Sequence, residues 1–177
     1  MVRTRCPGFE VGIVLRDDTF AAGSQALRDV LLDIDRAGID FVGVLDHLSF
    51  WDGAGFDGLI NATAVLAAHP TLSVRTAVYL LPLRHPLAVA RQLSSLGVIA
   101  PGRFTFGVGV GGEDRREVAA AGVCPSTRGR RMDASLAILR DFMTSGCSTH
   151  DSEFFALDGV RVWPRPDPTM PILIGGR

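Results

Sequence analysis

Asp46 and His47 are the residues whose types and positions most directly indicate chemistry. They follow the apolar run 41–45, so polar groups begin where a buried strand would end. A histidine has an ordinary pKa near neutrality, and it can therefore take up or release a proton during a reaction. From the residues alone a structural alternative stays open, in which Asp46 caps a loop or helix and His47 packs at the strand end.

Two glycine-rich segments could receive a flat or anionic ligand. Gly107, Gly109 and Gly111 alternate along an apolar run, which removes side chains and lets a ring or substrate approach the backbone. A tightly packed interior is the alternative explanation for these glycines. Gly175 and Gly176 follow the last apolar run, where the backbone amides of a turn can bind an anion.

Charged side chains outside these segments favour structural roles. Arg128, Arg130 and Arg131 form the one basic cluster, which could meet a phosphate but is more typical of a solvated helix start. We expect Glu113 and Asp114 to be solvated at another helix start, near the positive end of the helix dipole. The remaining histidines have no partner at the spacing of metal ligands, so we expect no metal site.

The composition excludes several classes of protein. The 177 residues include 18 basic and 19 acidic side chains and 47% hydrophobic residues, which is typical of a globular core and not of a disordered chain. The near-neutral charge gives no basic surface for nucleic acid. No apolar run approaches the roughly 20 residues needed to cross a bilayer, and the first residues lack the apolar stretch of a signal peptide, so we expect none. With three widely spaced cysteines, we expect reduced thiols and a cytoplasmic location.

Short apolar runs alternate with longer stretches of helical spacing along the whole chain. The runs comprise residues 11–15, 41–45, 72–81, 104–112 and 172–174. Leu27, Val30, Leu31 and Ile34 share one face of the first helix, and we expect Gly97 to close the helix that Pro86 begins. Such alternation predicts an α/β fold with about five parallel strands and outer helices.

This pattern is compatible with an open doubly wound sheet or with an incomplete (β/α)₈ barrel. Residues 16–20, which follow the first run, are not the glycine-rich fingerprint of a dinucleotide-binding sheet. Their sequence argues against the open doubly wound sheet. We expect a single domain over 1–177. Residues 146–171 lose the periodicity and contain several prolines, so we predict an insertion loop there with a short hairpin turning at Asp158-Gly159.

Four motifs, in this order and spacing, resemble the luciferase-like monooxygenase superfamily. The motifs are Asp46-His47-Leu48 with Trp51, Leu81-Pro82-Leu83-Arg84-His85-Pro86, Gly107-Val108-Gly109-Val110-Gly111 leading to Glu113, and Pro171-Ile172-Leu173-Ile174-Gly175-Gly176. The resemblance covers most of the chain. It implies a TIM-barrel type fold, here incomplete, whose C-terminal rim holds the ring of coenzyme F420, a deazaflavin, or of FMN.

The resemblance also implies roles for individual residues. His47 would be the catalytic residue that transfers a proton, and Asp46 would contact the ring. Ala77 and Val78 match a position where relatives carry a non-prolyl cis peptide that backs the ring, although a plain buried strand is the alternative from the residues alone. The other cofactor-binding residues would be Leu80, Gly109 and Gly111 at the rim, and Gly175 and Gly176 at the cofactor phosphate.

The function that follows is a flavin- or deazaflavin-dependent oxidoreductase or monooxygenase, acting by hydride transfer or oxygen activation on an unknown small organic substrate. The alternative is a non-catalytic half-barrel remnant that serves as an interaction or dimerisation module. In both cases we expect a homodimer, because a half-barrel leaves open strand edges that can pair with another chain.

Overall fold

The structure, a computed structural model, describes residues 9–175, and most of its strands form one parallel sheet. The strands are β1 (Gly12–Val14), β2 (Phe41–Val44), β3 (Ser73–Thr76), β4 (Tyr79–Leu80), β5 (Phe104–Gly109), β6 (Cys147–Asp151), β7 (Ala156–Arg161) and β8 (Ile172–Ile174). The α-helices are α1 (Asp17–Ala21), α2 (Ser24–Ala37), α3 (Gly58–Ala68), α4 (Pro86–Ile99), α5 (Arg115–Ala120) and α6 (Arg128–Ser145).

When β3 and β4 are counted as one interrupted strand, the strands of the sheet follow the order of the chain. β1 pairs with β2 and β2 with β3, β5 pairs with both β3 and β4, and β8 pairs with β5, all in parallel. Because the order never reverses, right-handed crossovers put the helices on the same side of the sheet, as in a barrel and not in a doubly wound fold. Helices α2, α3, α4 and α6 pack side by side in that order. The prediction of about five parallel strands with outer helices is confirmed.

The third strand is interrupted where the sequence indicated one continuous run. The peptide bond between Ala77 and Val78 is cis, as the resemblance implied, and it separates β3 from β4. Val74 lies opposite Phe104 and Tyr79 lies opposite Val108, so the third strand uses one more residue than β5 over the same length. This extra residue is a bulge, and it turns the segment at the carboxyl end of the strand.

The hairpin turn predicted at Asp158-Gly159 is wrong. β6 and β7 form the antiparallel hairpin, but the chain turns at residues 152–155. The register shifts between Ser148 and His150, so Asp158 and Gly159 form a bulge inside β7. Gly159 has a φ of 58° and donates its N–H to Thr149 Oγ1, so the glycine accommodates the bulge.

Two helix predictions also need correction. α4 continues past Gly97 to Ile99 and ends before Pro101, because a proline cannot continue the hydrogen bonding of a helix. On α2, three of the four predicted core residues are buried, whereas Val30 is 36% exposed at the margin of the apolar face.

The core lies between the sheet and its helices. Its largest fully buried side chains include Tyr79, Phe106, Phe142, Leu31 and Leu93. The outermost strands differ, because every residue of β1 and both final residues of β8 are exposed. Within residues 9–175, no helix has both the length and the apolar composition that a membrane span requires.

Candidate active site

A cavity of about 670 Å³ lies at the carboxyl ends of the parallel strands. Its volume is in the range of small-molecule sites, about 300–1,000 Å³. Every predicted site residue that the structure describes lines this cavity, namely Asp46, His47, Ala77, Val78, Leu80, Gly109, Gly111 and Gly175. Gly176 lies outside the described residues. The strand ends therefore converge as the sequence predicted.

The carboxylate of Asp46 is buried and fully hydrogen-bonded. It accepts the backbone N–H groups of Gly58 and Leu80, each at 2.8 Å, and both Nη atoms of Arg84 at 2.7 Å. Burial raises the pKa of Asp46 above its ordinary value, while Arg84 and the two N–H groups oppose that change. Because these four donors occupy both oxygens, Asp46 joins the ends of β2 and β4 to the start of α3.

Arg84 extends this network behind the cavity wall. Its Nη2 also lies 3.3 Å from Asp57, which caps α3, and its guanidinium lies over the Tyr79 ring at 4.4 Å. Burial would lower the pKa of Arg84, but the Asp46 carboxylate raises it above the usual range. Burial also raises the pKa of the Tyr79 phenol. The carboxylates of Asp46 and Asp57 thus compensate the positive charge of Arg84.

His47 is held by a buried carboxylate from a distant part of the chain. Both oxygens of Glu117, on α5, lie within 3.2–3.3 Å of His47 Nδ1. Glu117 Oε1 also accepts the N–H groups of Leu48 at 2.6 Å and Ser49 at 3.1 Å. The imidazole also contacts the Phe50 ring, which stacks on it with 4.2 Å between the ring centroids. These contacts hold the ring, and because an ionised carboxylate accepts hydrogen bonds, they favour the tautomer in which Nδ1 carries the proton.

The segment after His47 is anchored to α5 a second time. Asp114 caps α5 by accepting the Arg116 N–H, and it also accepts the Trp51 N–H at 2.7 Å, where Trp51 has a φ of 48°. Burial alone would raise the pKa of Asp114, but these backbone donors hold it below its usual value. The prediction of a solvated Asp114 is therefore wrong, because only 3% of the residue is exposed.

Val78 forms an apolar part of the cavity wall and is wedged between two glycines. A Cβ on Gly109 would lie 2.4 Å from Val78 Cγ2, and a Cβ on Gly175 would lie 2.7 Å from Cγ1. Gly107 lies against a different neighbour, because a Cβ added at this position would lie 2.0 Å from the carbonyl oxygen of Thr76. Tight packing therefore accounts for Gly107 and Gly109, and this packing keeps Val78 at the cavity.

The arginine cluster separates into three different environments. Arg130 forms an exposed ion pair with Glu153 at 3.3 Å. Arg131 donates to the carbonyl of Pro82 and lies over the buried Phe155 ring. Arg128 lines the cavity. The interpretation as a solvated helix start describes Arg130 but not its two neighbours.

Comparison with families of known proteins decides the family. The family model described as luciferase-like monooxygenase matches residues 12–177, which is most of the chain. The chain belongs to the luciferase-like monooxygenase family.

Individual relatives of this luciferase-like chain include coenzyme-dependent dehydrogenases. It is 28% identical over 180 residues to an F420-dependent glucose-6-phosphate dehydrogenase of Kineococcus radiotolerans, covering 98% of this chain and 52% of that relative. The luciferase-like chain thus spans about half the length of the curated relatives it matches.

Solved structures of low sequence identity share the fold. Monooxygenase RslO1 from Streptomyces bottropensis is 22% identical, with a TM-score of 0.79 over 94% of this chain and 53% of that chain. The oxygenating constituent of 3,6-diketocamphane monooxygenase from Pseudomonas putida, in complex with FMN, is 16% identical. Its TM-score is 0.73 over 93% of this chain and 50% of that one.

Glu117 is the site residue of this luciferase-like chain that sequence reasoning missed. Asp114 and Glu117 have the spacing of a capping box, in which the acid at the third helical position turns back to its own helix start. That signal could have identified the helix start. It would still have given Glu117 a local role, whereas the side chain reaches a loop 70 residues earlier in the chain.

Proposed function

We propose that this chain provides the N-terminal half of an oxidoreductase site that binds coenzyme F420 or FMN and acts on a small organic substrate. The observation that carries the proposal is the His47–Glu117 pair on the wall of the same cavity that contains Val78. A redox reaction of this kind needs an apolar surface for the ring and a proton donor or acceptor beside it.

The cavity fits a flat ring system. Val78 and Leu80 are apolar, and Gly109, Gly111 and Gly175 add no side chains to the wall. At about 670 Å³ the cavity is in the size range of sites for small molecules, which is about 300–1,000 Å³. F420 is named for the Kineococcus relative and FMN for the Pseudomonas structure, which makes both cofactors candidates for this chain.

The chemistry that either group supplies when bound is hydride transfer, with oxygen activation in addition for FMN. His47 would handle the accompanying proton at Nε2, which makes no hydrogen bond to a described residue. Glu117 would keep Nδ1 protonated, stabilise positive charge on the imidazole, and hold the ring at one angle to the cavity. In this proposal Asp46 positions the strand ends and does not touch the ring.

A binding experiment tests the cofactor proposal on this chain. We expect absorbance or fluorescence titration to show saturable binding of F420 or of FMN. Val78→Asp should weaken it at least about tenfold, because an unpaired carboxylate would then lie against the ring. Val98→Asp, on the outer surface of α4, is the matched control. If neither cofactor perturbs its spectrum on mixing, the proposal is rejected.

The role of His47 is tested by turnover. In a preparation that turns over, we expect His47→Gln to lower the rate roughly 10²-fold while the cofactor dissociation constant changes little, as for a general acid or base. Unchanged turnover in His47→Gln would remove this residue from the mechanism.

The exposed strands β1 and β8 favour a second candidate, an interaction or dimerisation module without catalysis. Both strands have free edges among the described residues, and their apolar side chains are exposed. Association without binding of either cofactor would support this candidate over the oxidoreductase.

A further inference from the structure

Phe50 covers one face of the His47 imidazole. The two ring centroids lie 4.2 Å apart and the ring planes meet at 29°, which is a stacked arrangement. Both side chains line the cavity at the carboxyl ends of the strands. A ligand in this cavity therefore cannot approach the imidazole from the face that Phe50 covers.

The backbone around Phe50 holds its ring in place. The N–H of Phe50 donates to the carbonyl of Ala54 at 2.8 Å, and the carbonyl of Phe50 accepts the N–H groups of Ala54 at 2.9 Å and Gly53 at 3.1 Å. The next residue, Trp51, is bound through its N–H to Asp114, which caps α5. The Trp51 ring also meets the Phe50 ring edge-on, with 5.6 Å between centroids. Phe50 thus belongs to a closed turn that is anchored to α5.

Core packing does not account for the Phe50 ring. In the described part of the chain, Phe50 belongs to neither of the two clusters that form the apolar core, and it is only partly buried. The aromatic rings that it contacts are those of His47 and Trp51, in its own loop. The position of Phe50 is therefore explained by its neighbours at the cavity and not by the core.

Glu117 and Phe50 constrain different motions of His47. Glu117 holds one atom at the edge of the imidazole, Nδ1, at 3.2–3.3 Å, and a contact with one atom still allows the ring to tilt about it. A stacked aromatic ring instead restricts the plane of the imidazole. Gly55 lies against the stem of the side chain, because a Cβ added there would lie 2.4 Å from His47 Cβ. Together these three contacts set the direction in which Nε2 points.

We infer that Phe50 is a positioning residue that sets the plane of the His47 imidazole and thereby directs Nε2 toward the reacting group. Phe50 acts through His47, and its effect depends on the accuracy of that placement, since a misplacement of about 1 Å can lower a rate roughly 10²-fold. The inference rests on the proposed function for its effect on turnover. The orientation of the ring is measurable on the chain without any cofactor.

NMR tests the orientation in the absence of a ligand. The ring current of Phe50 should place the ring-proton signals of His47 upfield of their positions in Phe50→Leu, which keeps an apolar side chain but removes the aromatic ring. Phe50→Tyr keeps the ring and should keep the upfield signals. Phe56→Leu is the matched control, because Phe56 lies in the same loop but its ring contacts Phe20, with 6.2 Å between centroids. It should leave the His47 signals unchanged.

Kinetics test the consequence for the reaction. In a preparation that turns over, we expect Phe50→Leu to lower kcat about tenfold, while KM and the cofactor dissociation constant change less than about twofold. Phe50→Tyr and Phe56→Leu should stay within about twofold of wild type. A double-mutant cycle shows whether the effect acts through His47. In the His47→Gln background, Phe50→Leu should cause no further loss, because no imidazole is left to orient.

Three results would overturn the inference. One is an unchanged position of the His47 signals in Phe50→Leu. Another is a loss of kcat in Phe50→Leu no greater than in Phe56→Leu, and the third is full additivity of Phe50→Leu with His47→Gln.

Two further measurements keep the test decisive. If neither F420 nor FMN binds, the proposed function is rejected, whereas the NMR comparison still decides whether Phe50 orients His47. Should Phe50→Leu fail to fold, Phe50→Met also removes the ring and takes its place in the comparison. Overhauser contacts between the two rings in the wild-type chain test the stack without any variant, and their absence would likewise contradict the inference.

Discussion

Two buried carboxylates beside the cavity, Asp46 and Glu117, hold other groups in place. Asp46 connects three backbone segments through Arg84 and two N–H groups, and Glu117 connects the His47 loop to α5. Neither has an oxygen free of protein donors. On the cavity wall, by contrast, the side chains of His47 and Arg128 keep nitrogen positions that no described residue occupies.

The first prediction concerns Asp46. Asp46→Ala should lower the free energy of unfolding by about 3–5 kcal/mol, because it leaves the half-buried Arg84 charge without its main partner. Urea unfolding measures the change, and Asp52→Ala, in the exposed loop after Trp51, is the control. An unchanged unfolding midpoint with weaker cofactor binding would show instead that Asp46 acts on the cofactor.

The second prediction concerns the packing of Val78. Gly109→Ala puts a methyl group 2.4 Å from Val78 Cγ2, and Gly175 prevents Val78 from moving away on its other side. Overpacking of this kind costs about 1–3 kcal/mol, and we expect cofactor binding to weaken as Val78 is displaced. Gly129→Ala, where a Cβ meets open space, is the control. Equal binding by the two variants would contradict the role of Val78.

At the residue scale, the sequence predicted what lies at strand ends. His47 and Gly175 each follow an apolar run and Leu80 lies at the end of one, and parallel strands bring such positions to one rim. The contact between Glu117 and His47 could not be predicted. It depends on the direction in which a short helix leaves β5, and no periodicity records that direction.

At the scale of elements, α5 is a short helix whose start anchors the loop after β2. Asp114 caps this helix and also binds the Trp51 N–H, so one carboxylate stabilises both elements. The helix has only six residues, which is too short to be stable by itself. Its position therefore depends on these polar contacts together with the buried Val118.

The third prediction is a pH dependence that arises from Asp114. Its pKa in the folded chain is below the ordinary value of 3.8, so the unfolded state binds the proton more readily. The stabilisation is complete above that ordinary value and is lost as the pH falls through the lower folded one. Wild type should thus exceed Asp114→Asn in stability at about pH 6, and the difference should shrink toward about pH 3. A constant difference across this range would contradict the assignment.

Turn-forming residues in the sequence indicated the local backbone conformation, but they did not indicate the structural element in which that conformation occurs. Gly159 does adopt a positive φ, yet Asp158 and Gly159 form a bulge within β7 instead of the turn. The third strand likewise gave no composition signal for its interruption, because Ala77 and Val78 are ordinary strand residues. Local sequence specifies which conformations are allowed, whereas the pairing partner selects among them.

At the scale of the whole molecule, the described part of the sheet has an open edge on each side. β1 pairs only with β2 and β8 only with β5 in the described part of the chain. Ile13 and Ile174 are 43% and 66% exposed. Free edges with exposed apolar side chains are templates for pairing with another chain.

The fourth prediction is association through these edges. Light scattering should show a mass that rises with concentration, and Ile13→Lys with Ile174→Lys should reduce it, because edge lysines oppose strand pairing. Val98→Lys makes the same change at an exposed position of α4 and should leave association intact. A wild-type chain that stays monomeric at high concentration would reject this prediction.

β5 is the one strand in the described chain that pairs with three others, so exposing its amides requires several strands to separate at once. In terms of hydrogen exchange, Phe106 and Val108 should belong to the slowest class, which exchanges through global unfolding, while β1 at the edge exchanges through local opening. The loop carrying His47 is attached mainly by side chains and should open more readily than β5. A ligand in the cavity would therefore contact the rigid strand β5 on one side and the more mobile His47 loop on the other. Opening and closing of the His47 loop would set the residence time of the ligand.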